Sequence, residues 1–170
     1  VLIGPALPDC SAESHWVRHV IYEGEQAMTA VAGDFSGDGL PDVISDSGGL
    51  TRLFVAPDWR EVILNDHPEF KWYIHSEFFD VDDDGDLDIT YLSHVGHANG
   101  HVGWLRNDGD WSFSEVPLTT TWGHPVYANG VDFDEDGDID VLAAGTSQLD
   151  REIELYINDG DENFTQVIPQ

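Results

Sequence analysis

The chain has 170 residues, of which 34 are acidic and six are basic, and its formal charge at pH 7 is −28. A surface this acidic repels phosphate groups, which argues against nucleic acids and anionic membrane surfaces as partners. Hydrophobic residues make up 41% of the chain, enough for a folded core, and no apolar run reaches the ~20 residues of a membrane-spanning helix.

The N-terminal region is predicted to lie outside the repeats that follow. Residues 1–15 form an extension whose apolar start could be donated as a strand to a neighbouring molecule. Cys10 is the single cysteine, so an internal disulfide is excluded, and an unpaired thiol or an intermolecular link remains. Residues 16–26 are predicted to hold a lone fourth strand, beginning at Trp16, and a connector.

Three nine-residue acidic segments align without gaps and define an internal repeat. They share the pattern Asp-x-Asp/Ser-x-Asp-Gly-x-x-Asp and contain 15 of the 34 acidic residues. They occupy residues 34–42, 80–88 and 132–140, which gives repeat lengths of 46 and then 52 residues.

The spacing of oxygen donors in these segments predicts one calcium ion in each loop. Ca²⁺ takes six to eight oxygen ligands, and side chains at positions one, three, five and nine, with the carbonyl at position seven, could supply them around a turn made by glycine at position six. Ser36 replaces a carboxylate at position three, so the first site is expected to be the weakest. The predicted ligands are Asp34, Ser36, Asp38, Leu40 and Asp42 in the first loop, Asp80, Asp82, Asp84, Asp86 and Asp88 in the second, and Asp132, Asp134, Asp136, Asp138 and Asp140 in the third.

Three other interpretations of the loops are less favoured. An EF-hand requires a bidentate Glu at position twelve, which here is Ser45, Tyr91 or Ala143, and no amphipathic helix follows. Metal-free acidic turns could account for a single segment of this kind, but they do not explain why three such segments share the same spacing. Magnesium is less suited than calcium because it keeps its waters and rarely accepts an all-protein cage.

Short strands rich in branched residues flank each loop and predict an all-β fold. A first strand precedes the loop, a second and third follow it, and in two repeats the turn Asn-Asp-Gly leads to a fourth. Four-stranded antiparallel units of ~40–50 residues are typical of propeller blades. We therefore expect a β-propeller-type fold with blades at residues 27–65, 73–118 and 126–168, plus the lone N-terminal strand.

The loops and the Asn-Asp-Gly turns, over residues 27–168, resemble the FG-GAP/VCBS repeats of integrin-α-like propellers and of many secreted microbial proteins. The literal Phe-Gly…Gly-Ala-Pro signature is absent, so the VCBS variant is the better match. The resemblance implies calcium-binding blades, but such propellers usually have about seven, and three blades cannot close a ring. The chain is expected to be open, to be part of a larger propeller, or to be completed by other copies in a ring or filament.

Few other residues suggest chemistry. His94, His97 and His101 fall in a Gly-rich stretch predicted as a solvated loop, with a metal site as the weaker alternative. Asn163 begins a glycosylation sequon. No catalytic motif is present, so we expect no enzyme activity. Three tryptophans are candidates for stacking on sugars: Trp72, Trp111 and Trp122.

These features together predict a secreted or cell-surface calcium-binding module with a structural or adhesive role that self-assembles. Its expected partners are other copies, reached through open blade faces, with glycans or cell-surface proteins as further candidates and no insertion into membranes. Two alternatives stay open: a carbohydrate-binding propeller, and a fragment of a larger propeller from a polysaccharide-degrading enzyme.

Overall fold

The computed structural model describes residues 18–24, 27–47, 49–67, 72–95, 98–146 and 151–167. These ranges contain twelve strands and no helix, which confirms the all-β class. None of the described residues forms a helix that could cross a membrane. Cys10 and the predicted N-terminal extension lie outside the described ranges.

The strands form three sheets, each four-stranded, antiparallel and connected in sequential order. Each sheet is made from one continuous stretch of chain. The first sheet contains β1 (Thr29–Gly33), β2 (Asp42–Ser47), β3 (Leu50–Val55) and β4 (Arg60–Asp66). The second contains β5 (Trp72–Phe79), β6 (Asp88–Val95), β7 (Ala98–Asn107) and β8 (Phe113–Trp122). The third contains β9 (His124–Val131), β10 (Asp140–Thr146), β11 (Arg151–Asn158) and β12 (Phe164–Val167).

The Asn-Asp-Gly turn between β7 and β8 is closed by backbone hydrogen bonds. The Asp108 N–H donates to the Ser112 carbonyl and the Ser112 N–H donates to the Gly109 carbonyl, each at 2.9 Å. Gly109 has a φ of 72°, a conformation in which glycine carries no steric penalty. The turn places Phe113 opposite Asn107, which sets the register of the hairpin.

The histidine-rich stretch is a hairpin, and the prediction of a solvated loop is wrong for two of its residues. His94 lies on β6 and is buried, and His101 lies on β7 opposite Ser93. The ladder continues to the pair formed by Val95 and Ala98. Backbone pairing therefore overrides the weak strand propensity of Gly, His and Asn here. His97 lies outside the described residues.

Two hydrophobic clusters hold adjacent sheets together. The first joins the first and second sheets, and its buried members are Phe35, Ile44, Leu53, Val55, Ile89, Tyr91 and Leu105. The second joins the second and third sheets, and its buried members are Leu92, Val102, Trp122, Ala128, Val141, Ala143 and Tyr156. The second sheet thus packs between the other two, and β5 contacts both β1 and β9.

Residues 18–24 of the same chain lie over part of the outward face of the first sheet. The Tyr22 ring lies 5.4 Å from the Phe54 ring, and the Arg52 guanidinium lies over Tyr22 at 5.1 Å. No strand forms in this described part of the segment, although the sequence predicts one. The segment crosses the face of the sheet, where no backbone edge is available for pairing.

The outward face of the third sheet differs, because its apolar side chains are exposed. Phe133, at position two of the third loop, is 60% exposed, whereas its counterparts Phe35 and Val81 are each 4% exposed. Ile153 and Val167 on the same sheet are also exposed. The two ends of the stack of sheets are therefore different.

Gly130→Ala should destabilise the packing between the second and third sheets. A Cβ at this position would lie 2.5 Å from the Phe79 ring and 2.8 Å from Ile139 Cγ2. We expect a loss of about 1–3 kcal/mol in the free energy of unfolding, measured by urea denaturation. Thr120→Ala, at an exposed position of β8, serves as a control that should leave the midpoint nearly unchanged. An unchanged midpoint for Gly130→Ala would contradict this packing.

Candidate metal centre

The three acidic loops occupy equivalent places, each between the first and second strand of its sheet. In all three, the glycine at position six has a positive φ: 87° at Gly39, 96° at Gly85 and 106° at Gly137. Position four also has a positive φ, which the sequence pattern did not predict. These two residues curl each loop tightly enough to bring its side-chain oxygens toward one another.

The aspartate at position nine is fully buried in every loop and joins the loop to the third strand. In the second loop, Asp88 Oδ2 accepts the Val81 N–H and Oδ1 accepts the Asn107 N–H, both at 2.8 Å. Asp140 makes the same pair of bonds to Phe133 and Asn158. The carboxylate at position nine therefore joins the loop to the end of the third strand of its sheet without the help of a metal ion. In the first loop Asp42 also accepts two N–H groups, but they come from Ser36, at position three, and from Ala56.

The aspartates at positions one and five accept backbone N–H groups of their own loops. Asp80 receives the N–H groups of Asp84 and Gly85 at 3.1 and 3.0 Å. Asp84 Oδ1 in turn receives the Asp86 N–H at 2.9 Å. Asp34 and Asp38 repeat this arrangement in the first loop. These bonds leave further carboxylate lone pairs available for a cation.

Two of the loops bring three carboxylates within reach of one ion. One oxygen from each of Asp80, Asp82 and Asp88 lies within 4.8 Å of the others in the second loop. Asp132, Asp134 and Asp136 form the same kind of group in the third. Over the described ranges, neither the first loop nor any histidine contributes to a group of this kind. In the first loop position three is Ser36, which offers a hydroxyl and not a carboxylate, so its expected weakness as a site stays a prediction.

Two oxygens at position three are buried and have no hydrogen-bond partner. They are Asp82 Oδ1 and Ser36 Oγ. A buried oxygen without a donor is costly, and a bound cation would satisfy it. The oxygen-only donor set is the kind that a hard divalent cation prefers. The residues of the second loop therefore fit a metal ion on an observation independent of their acidity.

Burial and crowding of acids raise carboxyl pKa values in the second loop. Burial raises the pKa of Asp88 to about 7, outweighing the two N–H groups that favour its charged form. The pKa of Asp82 is raised by burial first and then by the neighbouring charges of Asp84 and Glu162. A divalent cation would oppose both effects by stabilising the ionised carboxylates.

The other residues singled out by sequence are distributed as follows. The rings of His94 and His124 lie 4.1 Å apart between centroids, on β6 and β9. Trp122 is buried and cannot stack on a ligand, whereas Trp111 is exposed, with the Arg60 guanidinium 4.8 Å from its ring. Asn163 is exposed, and its Nδ2 donates to Asp159 at 3.2 Å.

Sequence reasoning missed the role of Asn107 and Asn158. The Asn-Asp-Gly motif was interpreted only as a turn signal, but these side chains are nearly fully buried and donate to loop carbonyls. The signal available in the sequence was the recurrence of Asn 19 and 18 residues after the ninth position of two of the three loops.

Comparison with known proteins found no matching family model, no matching curated protein and no matching solved structure.

The metal-free protein should lose stability as pH rises from about 4 to about 7. The folded-state pKa of Asp88 lies above its unfolded value of about 3.9, so its contribution is fully present below pH ~4 and is lost as pH passes about 7. The slope from this one group is at most about 1.4 kcal/mol per pH unit. Urea denaturation in EDTA measures it.

Asp88→Asn is the matched control because the amide has no proton to lose. It should flatten the pH dependence in EDTA, and a wild-type slope equal to that of the variant would contradict the assignment. With saturating calcium the wild-type slope above pH ~5 should disappear, since a bound cation would keep this carboxylate ionised in the folded protein as it is in the unfolded chain.

Proposed function

We propose that this chain is a calcium-binding repeat module of the β-propeller type, with a structural and non-enzymatic role outside the cell. One observation carries the proposal. In the second loop, oxygens of Asp80, Asp82 and Asp88 lie within 4.8 Å of one another, and a buried Asp82 oxygen has no hydrogen-bond donor. Recurrence of the loop supports a site in each sheet.

Calcium is favoured over other metals by the chemistry of the donors. The loops offer carboxylate, hydroxyl and carbonyl oxygens, and none of the three nine-residue segments contains a histidine or a cysteine. Ca²⁺ accepts such sets in irregular geometry, whereas Mg²⁺ demands a near-ideal octahedron. When bound, the ion would neutralise repulsion among the acids and so stabilise the turn between the first two strands.

Three features support a propeller-type arrangement and the FG-GAP/VCBS assignment. Each sheet is one continuous four-stranded unit, successive sheets pack through their faces, and the first strands β1, β5 and β9 are neighbours. The metal loop lies between the first and second strand in every unit, as the resemblance implies.

An extracellular location follows from the expected affinity. Extracellular calcium modules commonly bind at ~10⁻⁴–10⁻³ M, a range in which cytosolic calcium would leave the loops empty. With one cysteine and no internal disulfide, the chain depends on metal for additional stabilisation.

Asp82→Asn should weaken calcium binding, while Asp83→Asn should not. Both substitutions remove one charge from the same loop, but only Asp82 contributes to the carboxylate group. Calorimetric titration of chelator-stripped protein should give up to three ions for wild type and Asp83→Asn, and one fewer for Asp82→Asn. Equal stoichiometry and affinity for the two variants, or no calcium binding by wild type, would refute the proposal.

We also propose that the exposed outward face of the third sheet mediates self-association. The exposed Ile153 and Val167 share this face by strand register with the half-buried Leu142, and the exposed Phe133 borders it. At the opposite end of the molecule, residues 18–24 lie over part of the first sheet. A second copy would therefore meet this face with its own equivalent face.

Ile153→Glu should weaken this association. Sedimentation equilibrium in calcium should show a dimer for wild type and a shift toward monomer for the variant. Ile63→Glu changes an equally exposed residue on the first sheet and should leave the dimer intact. A wild-type protein that stays monomeric at high micromolar concentration would disprove the self-association.

A further inference from the structure

We propose that Asn107 and Asn158 couple neighbouring calcium loops, so that the loops fill cooperatively. The inference rests on the proposed calcium binding and adds a positioning role for two residues that are not metal ligands. Each asparagine ends the third strand of its sheet and is at least 97% buried. Such a buried amide must find hydrogen-bond partners, and its partners belong to two different loops.

Asn158 bridges the second and third loops. Its Nδ2 donates to the Val81 carbonyl of the second loop at 3.2 Å and to the Ile139 carbonyl of the third at 3.3 Å. Its backbone N–H donates to Asp140 at 2.8 Å. One residue thus fixes position two of one loop and positions eight and nine of the next.

Asn107 makes the same bridge between the first and second loops. Its Nδ2 donates to the carbonyls of Phe35 at 3.3 Å and Leu87 at 3.4 Å, and its N–H donates to Asp88 at 2.8 Å. The repetition of all three contacts at the second junction argues against coincidence.

The bonded carbonyl occupies a sensitive place in the loop. Val81 lies between Asp80 and Asp82, the residues at positions one and three. Its N–H donates to Asp88, and its carbonyl accepts the Asn158 side-chain N–H. Hydrogen bonds therefore fix the peptide groups on both sides of Val81. Ordering of the third loop by an ion would hold Asn158 in place and reduce the cost of ordering the second loop.

The first sheet separates the two roles of this position. There Ala56 takes the place of asparagine, and its N–H still donates to Asp42 at 2.8 Å. The two hydrogen bonds to the aspartate at position nine are therefore present in all three sheets. The asparagine that connects two loops is present only at the two junctions between sheets. The side-chain oxygens of these asparagines accept the N–H groups of Gly109 and Gly160, which is the bond that the turns need. The bonds from the side-chain nitrogens to the loop carbonyls are additional to the turns.

A double-mutant cycle on the full chain tests the coupling. Calcium titration followed by ¹H–¹⁵N NMR of the position-six glycines, Gly39, Gly85 and Gly137, reports each loop separately. Asp134→Asn disables the third loop. We expect it to weaken binding at the second loop about fivefold or more in the wild-type background and to have little effect in the Asn158→Ala background.

Asn107→Ala provides an independent test at the other junction. It should uncouple the first loop from the second and leave the response of the second loop to Asp134→Asn unchanged. The coupling is overturned if Asp134→Asn weakens the second loop equally with and without Asn158, or does not weaken it at all. Absence of calcium-dependent shifts at every glycine would instead refute the calcium proposal itself, so the two failures are distinguishable.

Discussion

Each sheet depends on a buried carboxylate that accepts two backbone N–H groups from separate segments. Asp42, Asp88 and Asp140 are inaccessible to solvent, and each joins the start of its loop to the end of the third strand. Hydrogen bonds to an ionised acceptor are roughly twice as strong as neutral ones, but they must offset the cost of removing the charge from water. The raised pKa of Asp88 shows that two N–H groups alone do not offset it. A cation beside the carboxylate would complete the compensation, which links metal binding to the integrity of the sheet.

The elements predicted with most success were those with a local physical cause. Short runs rich in branched residues around the acidic loops predicted the twelve strands to within a few residues, and Asn-Asp-Gly predicted the hairpins that join β7 to β8 and β11 to β12. The strand hairpin at His94 and His101 could not be predicted in the same way, because its residues have low strand propensity and are held by cross-strand pairing. The cover formed by residues 18–24 was also missed, since packing over a face leaves no periodicity in the sequence.

The same difference between local features and contacts distant in sequence applies to the candidate site. Positions one, three and five of the loops were identified from spacing alone, and the structure brings three carboxylates together in two loops. The sequence assigned position nine only to metal binding, whereas its oxygens also hold Asn107 and Asn158. Asn107 and Asn158 lie 19 and 18 residues beyond the aspartates that accept their N–H groups. The spacing pattern of a nine-residue loop does not extend over such a separation.

The proposed pairing of third sheets has a consequence for stoichiometry. Association through equivalent faces of two copies would give an isologous pair related by a two-fold axis. Such a pair would occupy the face in both copies, so this contact alone would give a closed dimer rather than a fibre. The first sheets, with the contact between Tyr22 and Arg52, would lie at the two far ends of that dimer.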